Sequence, residues 1–327
     1  MATYYVDPAA SGNNDGTSWD DAFTDLQSAA TAAQATDTVY CRGSQTITQT
    51  IAPVNAGSVG NLIRYIGCNA SGVNDGTYFQ LNGNGNNISG MTLNNNDYTL
   101  FENFKIHSCL RHGIECVTSY TDYAQFNNVW LTGNTGAGLY ANIRLRSSLF
   151  YRCKFNGNGA KGVYSTISSA YNLCEFSGNT GHGCEEAESN ELYNCCLFTG
   201  NTTSGLRLYG SRSVLNCVFD SNGENGIEMG YSDLTIIQGC RFTNHNASGK
   251  LGIAISGGRV CLVACYFGNN ATDITDGMYE VLRINGATDH VIFGGTDTNH
   301  GYTTPGSDFN LRSDASLRSL AIPLPLD

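Results

Sequence analysis

The residues of this chain best suited to acid–base chemistry are two glutamates and an arginine at equivalent places in successive sequence repeats. Glu185, Arg207 and Glu228 each lie two positions after a recurring glycine. If the repeats stack as neighbouring strands, the Glu185 and Glu228 backbones are two strand spacings, about 9.6 Å, apart. Carboxyl groups roughly 6.5–9.5 Å apart serve inverting glycoside hydrolysis, so these three residues are the candidate catalytic group.

The same three residues also have a purely structural explanation. Opposite charges on neighbouring strands attract, and a Glu185–Arg207–Glu228 ladder would stabilise the surface by roughly a few tenths of a kcal/mol. The pattern is compatible with either interpretation.

Candidate sugar-contacting residues precede this group in the same series. Glu115, Tyr140 and Tyr164 occupy the equivalent position of three earlier repeats. Tyrosine combines an apolar ring with a polar tip, which suits the binding of sugar rings. We therefore expect Glu115, Tyr140 and Tyr164 to face solvent and to contact a glycan. No Cys-x-x-Cys pair occurs in the sequence, so neither a metal site nor a cofactor is expected.

These candidates are positioned by a repeat built on a Cys-x-Phe triplet. The triplet recurs at intervals of 21–25 residues. Residues i and i+2 of a strand face the same way, so the Cys and Phe of each triplet point inward together. We expect the thiols to fill the core rather than to form disulfides, because side chains in register have an unfavourable dihedral angle for cross-linking. The triplets begin at Cys153, Cys174, Cys196, Cys217, Cys240 and Cys265.

The length of the repeat indicates the fold. About 22 residues are too few for a strand and a crossover helix, but they fit three short strands joined by turns. The sequence therefore predicts an all-β fold, a single right-handed parallel β-helix with coils about 4.8 Å apart. An Asn follows most triplets and is expected in a turn, where it tolerates left-handed backbone geometry and its amide could bond to the next coil. These residues are Asn134, Asn158, Asn179, Asn201, Asn222 and Asn270.

The two ends of such a coil need caps, because the end rungs would otherwise expose apolar interior. A short amphipathic helix is predicted over residues 18–34, with Ser18 as its N-cap and an apolar stripe that includes Trp19 and Leu26. The apolar end of the chain could close the second open end or dock on a neighbouring subunit. The expected divisions are an opening strand and capping helix at 1–38, the β-helix at 39–293, and a loop with an extended apolar tail at 294–327.

Two features of the sequence disturb the inward pattern. Glu186 falls in a column that otherwise holds Ala, Ser, Leu, Met and Ile. A lone buried carboxylate is costly, so we expect the strand to end or bulge there and Glu186 to turn outward beside Glu185 and Glu188. The adjacent Cys195 and Cys196 are expected to place one side chain inside and one outside.

The charge and composition of the chain indicate which classes of binding partner to expect. The formal net charge is −11 and the pI about 4.9, and an acidic surface repels phosphate backbones, so no nucleic acid is expected. No apolar stretch is long enough to cross a membrane, so no membrane partner is expected. The N-terminus lacks the basic and apolar segments of a signal peptide. The expected location is a virion surface, or the extracellular space if a signal peptide has been removed.

Three motifs open the chain and another closes it: Tyr4-Tyr5-Val6-Asp7, Asn14-Asp15-Gly16-Thr17-Ser18-Trp19, Asp37-Thr38-Val39-Tyr40 and Asp308-Phe309-Asn310-Leu311. They resemble the opening strand, cap helix, first coil and closing motif of the pectin-lyase-like right-handed β-helix repeat proteins. Leu317, after Ser316, departs from the proline that usually follows the closing motif. The beginning Met-Ala-Thr-Tyr-Tyr-Val resembles the phage-associated members. The resemblance implies a parallel β-helix, in a group that includes lyases, hydrolases, epimerases, tailspikes and other virion proteins.

Gly181-His182-Gly183 is similar to a signature of β-helix polygalacturonases. The Asn-Thr-Asp and paired-Asp motifs that accompany the signature are missing from the repeats upstream of it. His182 is therefore expected to be an exposed turn residue.

Two functional hypotheses follow. The first is a virion-surface structural protein, a β-helical decoration or spike subunit able to bind a glycan. Its expected partners are other virion subunits or further copies of itself in a homotrimer, with a surface polysaccharide as a further candidate. The alternative is a polysaccharide lyase or glycoside hydrolase that acts on an extracellular polysaccharide through Glu185, Arg207 and Glu228.

Overall fold

A computed structural model describes residues 1–142, 145–165, 169–186, 191–230, 234–245, 249–257, 260–276, 281–285 and 290–294. Within these ranges the chain forms a right-handed parallel β-solenoid of about nine turns, with one short helix near the N-terminus. The predicted fold class is therefore confirmed. The closing motif, the apolar tail and Glu188 lie outside the described residues.

The elements are short because each coil bends at every side. The first half of the chain contains β1 Thr3–Val6, α1 Leu26–Ala32, β2 Thr38–Arg42, β3 Ser44–Thr46, β4 Ile63–Cys68, β5 Phe79–Asn82, β6 Met91–Thr92, β7 Thr99–His107, β8 Ile114–Cys116, β9 Thr121–Asp122, β10 Gln125–Thr132, β11 Leu139–Ala141, β12 Leu145–Arg146, β13 Ser148–Tyr151, β14 Lys154–Asn156 and β15 Val163–Ser165. The second half contains β16 Ser169–Asn172, β17 Glu175–Ser177, β18 Cys184–Glu186, β19 Glu191–Asn194, β20 Leu197–Thr199, β21 Leu206–Leu208, β22 Arg212–Leu215, β23 Val218–Asp220, β24 Ile227–Met229, β25 Thr235–Gln238, β26 Arg241–Thr243, β27 Leu251–Ile255, β28 Val260–Val263, β29 Tyr266–Gly268, β30 Thr272–Asp276, β31 Val281–Asn285 and β32 His290–Gly294.

Strands from successive coils pair in register to form the sides of the solenoid. One side is a nine-stranded sheet made of β6, β8, β11, β15, β18, β21, β24, β27 and β30. A 21-stranded sheet carries the remaining sides, and β9 pairs separately with β12. Pairing between the described strands is parallel except for the final β31–β32 pair. Equivalent residues of neighbouring coils therefore lie beside one another in columns.

Two aromatic columns fill the interior. The phenylalanines of the Cys-x-Phe triplets stack with ring centroids 4.6–5.0 Å apart, as the repeat predicts. A second column, which the triplet does not reveal, stacks with centroids 4.6–5.8 Å apart. Its members are Tyr65, Phe101, Phe126, Phe150, Tyr171 and Tyr193.

Ten of the 13 cysteines are buried thiols in the core. All 13 are free, and those of the triplets point inward, which confirms the prediction. The Cys174 thiol, for example, donates to the Phe150 carbonyl of the preceding coil at 3.5 Å. Cys196 is buried and Cys195 is exposed, again as expected. Cys195 has a φ of 53° at the kink between β19 and β20.

A ladder of buried asparagine amides joins the coils. The Nδ2 groups of Asn134, Asn158, Asn179 and Asn201 each donate to the Oδ1 of the equivalent Asn in the next coil, at 2.9–3.2 Å, so that the ladder runs to Asn222. His245 follows Asn222 in the next coil. The predicted bonding between coils is confirmed, but the predicted left-handed backbone is displaced by one residue. It belongs to the residue before each Asn, such as Gly178 with a φ of 62°. This residue makes the turn and leaves the Asn free to point inward.

The N-terminal helix is shorter than predicted and begins later. It spans Leu26–Ala32, and its N-cap is Asp25, whose carboxylate accepts from the Ser28 amide at 2.8 Å. Ser18 instead accepts from the Asp21 amide at 3.0 Å within a turn. The assignment of Ser18 as N-cap is therefore wrong.

The reason lies in the backbone of Phe23. Its amide donates to Tyr5 and its carbonyl accepts from Asp7, both at 2.9 Å, so the residue bridges to β1 and cannot be helical. Trp19 lies before this bridge and packs on Tyr5 with centroids 4.9 Å apart. Leu26, in contrast, is buried in the same core as the first coil, which is the capping contact that the apolar stripe predicts.

Glu186 is fully buried, and the expectation that it turns outward is wrong. The strand β18 continues through it, and its carboxylate accepts from the Tyr171 hydroxyl at 3.1 Å and from the Cys184 thiol at 3.4 Å. An ion pair of Glu191 with Arg212, both without side-chain exposure, lies in the same part of the interior. The carboxylate is therefore kept inside by Cys184 of its own strand and by Tyr171 from another side of the coil.

The ladder should be a large contributor to stability. Asn201→Ala removes the amide that donates to Phe176 and Asn222 and accepts from Asn179, so buried polar groups of three residues lose a partner. We expect the free energy of unfolding to fall by about 3 kcal/mol, measured by urea denaturation. The exposed neighbour serves as a control, because Thr202→Ala should cost less than about 0.5 kcal/mol. Equal effects of the two variants would contradict a structural role for the ladder.

The buried acids should make stability depend on pH. Burial raises the pKa of Glu186 and of Glu191, and one guanidinium can compensate only one ionised carboxylate. A carboxyl whose pKa is raised by folding stabilises the protein below its ordinary value near 4.5 and loses that contribution as the pH rises above it. Thermal unfolding between pH 4.5 and 8 should therefore show a smaller alkaline loss in Glu186→Gln than in the native chain. The stabilities of Glu186→Gln and of the native chain should diverge by more than about 1 kcal/mol over this range, and identical pH profiles would refute a raised pKa at Glu186.

Candidate functional site

The candidate site residues form one column on the outer face of the nine-stranded sheet. Each is the middle residue of a three-residue strand, so it points away from the buried residues on either side. Pairing in register places them next to one another, as the sequence repeat predicts. We call this set the outer column, and its members are Glu115, Tyr140, Tyr164, Glu185, Arg207 and Glu228.

The recurring glycine before each member is required by close packing of the turns. A Cβ on Gly183 would lie 2.5 Å from the Gly205 carbonyl oxygen and 2.8 Å from the Asn201 amide nitrogen. Both distances are shorter than real Cβ contacts allow. The glycines thus let the turns stack in register, and this registry aligns the outer column.

The aromatic members stack face to face along the column. Tyr140 lies between His112 and Tyr164, with ring centroids 4.4 Å and 5.3 Å away. The other face of the aromatic run is covered by Lys161, whose Nζ lies 4.4 Å from the Tyr164 centroid. The flat ring faces therefore contact protein, and the column offers ring edges and hydroxyl groups to a ligand.

His112 is held as a neutral ring in this stack. Its Nδ1 accepts from the Ala137 backbone amide at 2.9 Å, so the proton of the neutral ring is on Nε2. Burial lowers the pKa of His112, with the nearby Glu115 acting in the opposite direction. The ring therefore stacks as an uncharged aromatic group.

The charged members pair with one another. Glu185 Oε2 lies 2.9 Å from Lys161 Nζ and 3.9 Å from the Arg207 guanidinium. Arg207 also reaches Glu228 Oε1 at 3.2 Å through Nε. These are the contacts of the surface ladder that the sequence offers as the structural explanation. Arg207 lies between the two carboxylates.

His182 is buried, and the expectation of an exposed turn residue is wrong. Only 8% of the residue is exposed, because it lies one position before Gly183 and is enclosed by the neighbouring turns. Its Nε2 lies 3.6 Å from Glu185 Oε2, and its Nδ1 has no hydrogen-bond partner. Burial lowers the pKa of His182, and the Glu185 carboxylate acts in the opposite direction.

Glu115 also differs from expectation, because it is buried rather than solvent-facing. It is 6% exposed, and the Arg111 guanidinium lies 3.2 Å from its Oε2. The aromatic stack begins in the same coil with His112, which packs on Tyr140 of the next coil. The half-exposed Arg111 is therefore the charged group that this end of the column presents to solvent.

Sequence reasoning missed His112 and Lys161, although a signal for them exists. Both occupy the position immediately before the recurring glycine, as His182 does. In these three coils that position lies beside the outer column, so an alignment of the repeats would have placed the three side chains at the site.

Within the described residues, no three His, Cys, Asp or Glu side chains come together as ligands for a metal ion. No helix in that part of the chain is long and apolar enough to span a membrane.

The fold can now be compared with known proteins. A family model described as a right-handed β-helix region matches residues 204–296. Pectate lyase Pel9A aligns with a TM-score of 0.58 at 14% identity, over 84% of this chain and 78% of its own. The fold is that of the pectate-lyase-like right-handed β-helix.

Two further β-helix structures are similar. An alginate lyase from Paenibacillus has a TM-score of 0.59 at 12% identity, over 78% of this chain and 94% of its own. The A-module of the Azotobacter vinelandii mannuronan C-5 epimerase AlgE4 has a TM-score of 0.53 at 13% identity, over 73% of this chain and 88% of its own. Comparison with curated protein sequences gave no match. At these identities the likeness is one of fold.

The charged contacts can be tested through the titration of His182. Replacing Glu185 by Gln removes a charge that raises the His182 pKa, so this pKa should fall further, by roughly 0.5–1 unit. Arg207→Gln removes a charge that lowers it, so the pKa should rise. NMR titration of the imidazole signals measures both shifts, and His112 is an internal control that should not move. A rise in Glu185→Gln would contradict the placement of His182.

Proposed function

We propose that the chain is a non-enzymatic structural subunit of a virion surface that binds an extracellular polysaccharide along the outer column. The observation that carries the proposal is the position of Arg207. Inverting hydrolysis needs room for a water between its two carboxyl groups, whereas Arg207 contacts both Glu185 and Glu228. The paired acids thus form a rigid, polar binding surface.

Other features support a polysaccharide ligand. The outer column is continuous over five coil-to-coil steps, a length of about 24 Å, which suits an extended polymer. Two phenol hydroxyls are followed along it by three planar charged groups, and such groups bond sugar hydroxyls from a fixed geometry. Proteins of the same fold are named for the polysaccharides pectate and alginate.

The virion location is supported by the resemblance of the opening residues to phage-associated β-helix proteins. Other virion subunits or further copies of this chain in a homotrimer are the partners we propose. A solenoid whose interior is occupied by stacked rings and amide ladders is a rigid body, which suits exposure outside a cell.

A polysaccharide lyase is a second candidate, favoured by one specific observation. His182 is a base kept neutral by burial, and it lies near Glu185 on the turn beside the column. In a β-elimination, a neutral imidazole accepts the proton on C5 of a uronate, and a cation such as Arg207 would stabilise the resulting negative charge. The bond from C4 to the glycosidic oxygen then breaks as the C4–C5 double bond forms, and the departing oxygen takes up a proton from solvent.

One experiment separates the two functions. The purified chain is incubated with a panel of neutral and acidic polysaccharides, and retention by affinity electrophoresis is measured together with new reducing ends and unsaturated products. We expect retention without depolymerisation, and a loss of retention of at least about tenfold in Arg207→Ala. Arg241→Ala is the matched control, because Arg241 is an exposed arginine on the larger sheet.

Depolymerisation that disappears in His182→Ala would establish the lyase instead. Retention equally weakened by Arg207→Ala and Arg241→Ala would place the binding surface elsewhere on the coil.

A further inference from the structure

We infer that the polysaccharide bound along the outer column is an uncharged polymer rather than a polyuronate. This inference rests on the proposed function and specifies the chemical class of its ligand.

The first argument is the charge balance of the column. Two cations lie at its centre, Arg207 in the column and Lys161 beside it, and each lies within 4 Å of a carboxylate of Glu185 or Glu228. At the far end, Arg111 pairs in the same way with Glu115. The formal charges of these groups cancel, so the column has no surplus positive charge for an acidic sugar.

The second argument is the cost of exchanging partners. A uronate carboxylate could bind Arg207 only beside, or in place of, Glu185 and Glu228. The Glu185 side chain is 12% exposed and relies on neighbouring cations for compensation. A second carboxylate would share these cations with it, and an undercompensated, mostly buried charge is unfavourable.

The third argument is the field of the whole chain. With 28 acidic and 17 basic residues the net charge is −11, so a polyanion is repelled as it approaches. A polymer without charge experiences no such repulsion. When such a polymer binds, Arg207 can also keep its ion pairs with Glu185 and Glu228.

The column retains groups that an uncharged sugar can use. The side chains of Arg207 and Glu228 are 33% and 27% exposed. Together they present hydrogen-bond donors next to acceptors. Burial raises the pKa of Tyr164, so its phenol stays protonated and both donates and accepts. Neighbouring hydroxyl groups of a neutral hexose match such alternating donors and acceptors.

The test compares the two ligand classes directly. Dextran, galactomannan and soluble chitin oligosaccharides represent uncharged polymers, and alginate and polygalacturonate represent polyuronates. Affinity is measured by affinity electrophoresis and by calorimetry in low and high salt. We expect binding of at least one uncharged polymer with an affinity that salt changes less than about twofold, and at least about a tenfold loss in Arg207→Ala but not in Arg241→Ala.

A charge variant tests whether the charge balance of the outer column sets the class of ligand. Glu228→Gln leaves Arg207 with surplus positive charge, so this variant should gain salt-sensitive binding of alginate or polygalacturonate relative to the native chain. An unchanged preference in Glu228→Gln would show that charge balance does not set the ligand class.

The failures of the two proposals are distinguishable. Salt-sensitive binding of a polyuronate to the native chain, lost in Arg207→Ala, would overturn the uncharged-ligand inference and leave the polysaccharide-binding function intact. Retention of neither class of polymer would overturn the proposed function, and this inference with it.

Discussion

The architecture depends on the constant spacing between successive coils. Parallel pairing in register sets neighbouring strands about 4.8 Å apart, and every side chain then has its closest neighbours one repeat away in either direction. Rings stack on rings, and amides bond to amides. Close approach of the turns leaves no room for a Cβ at Gly183. The spacing thus selects residue types column by column rather than one position at a time.

This dependence explains how much of the molecule could be predicted. Interactions along a column repeat at a fixed interval in the sequence, so the repeat predicts the inward Cys and Phe and the alignment of Glu185, Arg207 and Glu228. Interactions across the coil have no such interval. Tyr171 reaches Glu186 from another side of the interior, and that contact has no trace in the repeat.

The same distinction accounts for His182 and for the N-terminal helix. His182 occupies a turn that a single coil would leave open, and only the turns above and below it close the site. Phe23 has the apolar character of a helical stripe, but its backbone is committed to β1 by hydrogen bonds on both sides. In both cases the deciding contact comes from a part of the chain that the local pattern does not include.

The connections between strands differ in length, and this affects how such a protein can evolve. Three residues separate β21 from β22, ending at Leu208 and resuming at Arg212, whereas five separate β24 from β25. The paired strands keep their register despite this difference. A difference of two residues here leaves the strand pairing on both sides unchanged, and duplication of a whole coil would lengthen every column by one residue. A lineage could in this way extend the outer column along a longer stretch of polymer without redesigning its interior.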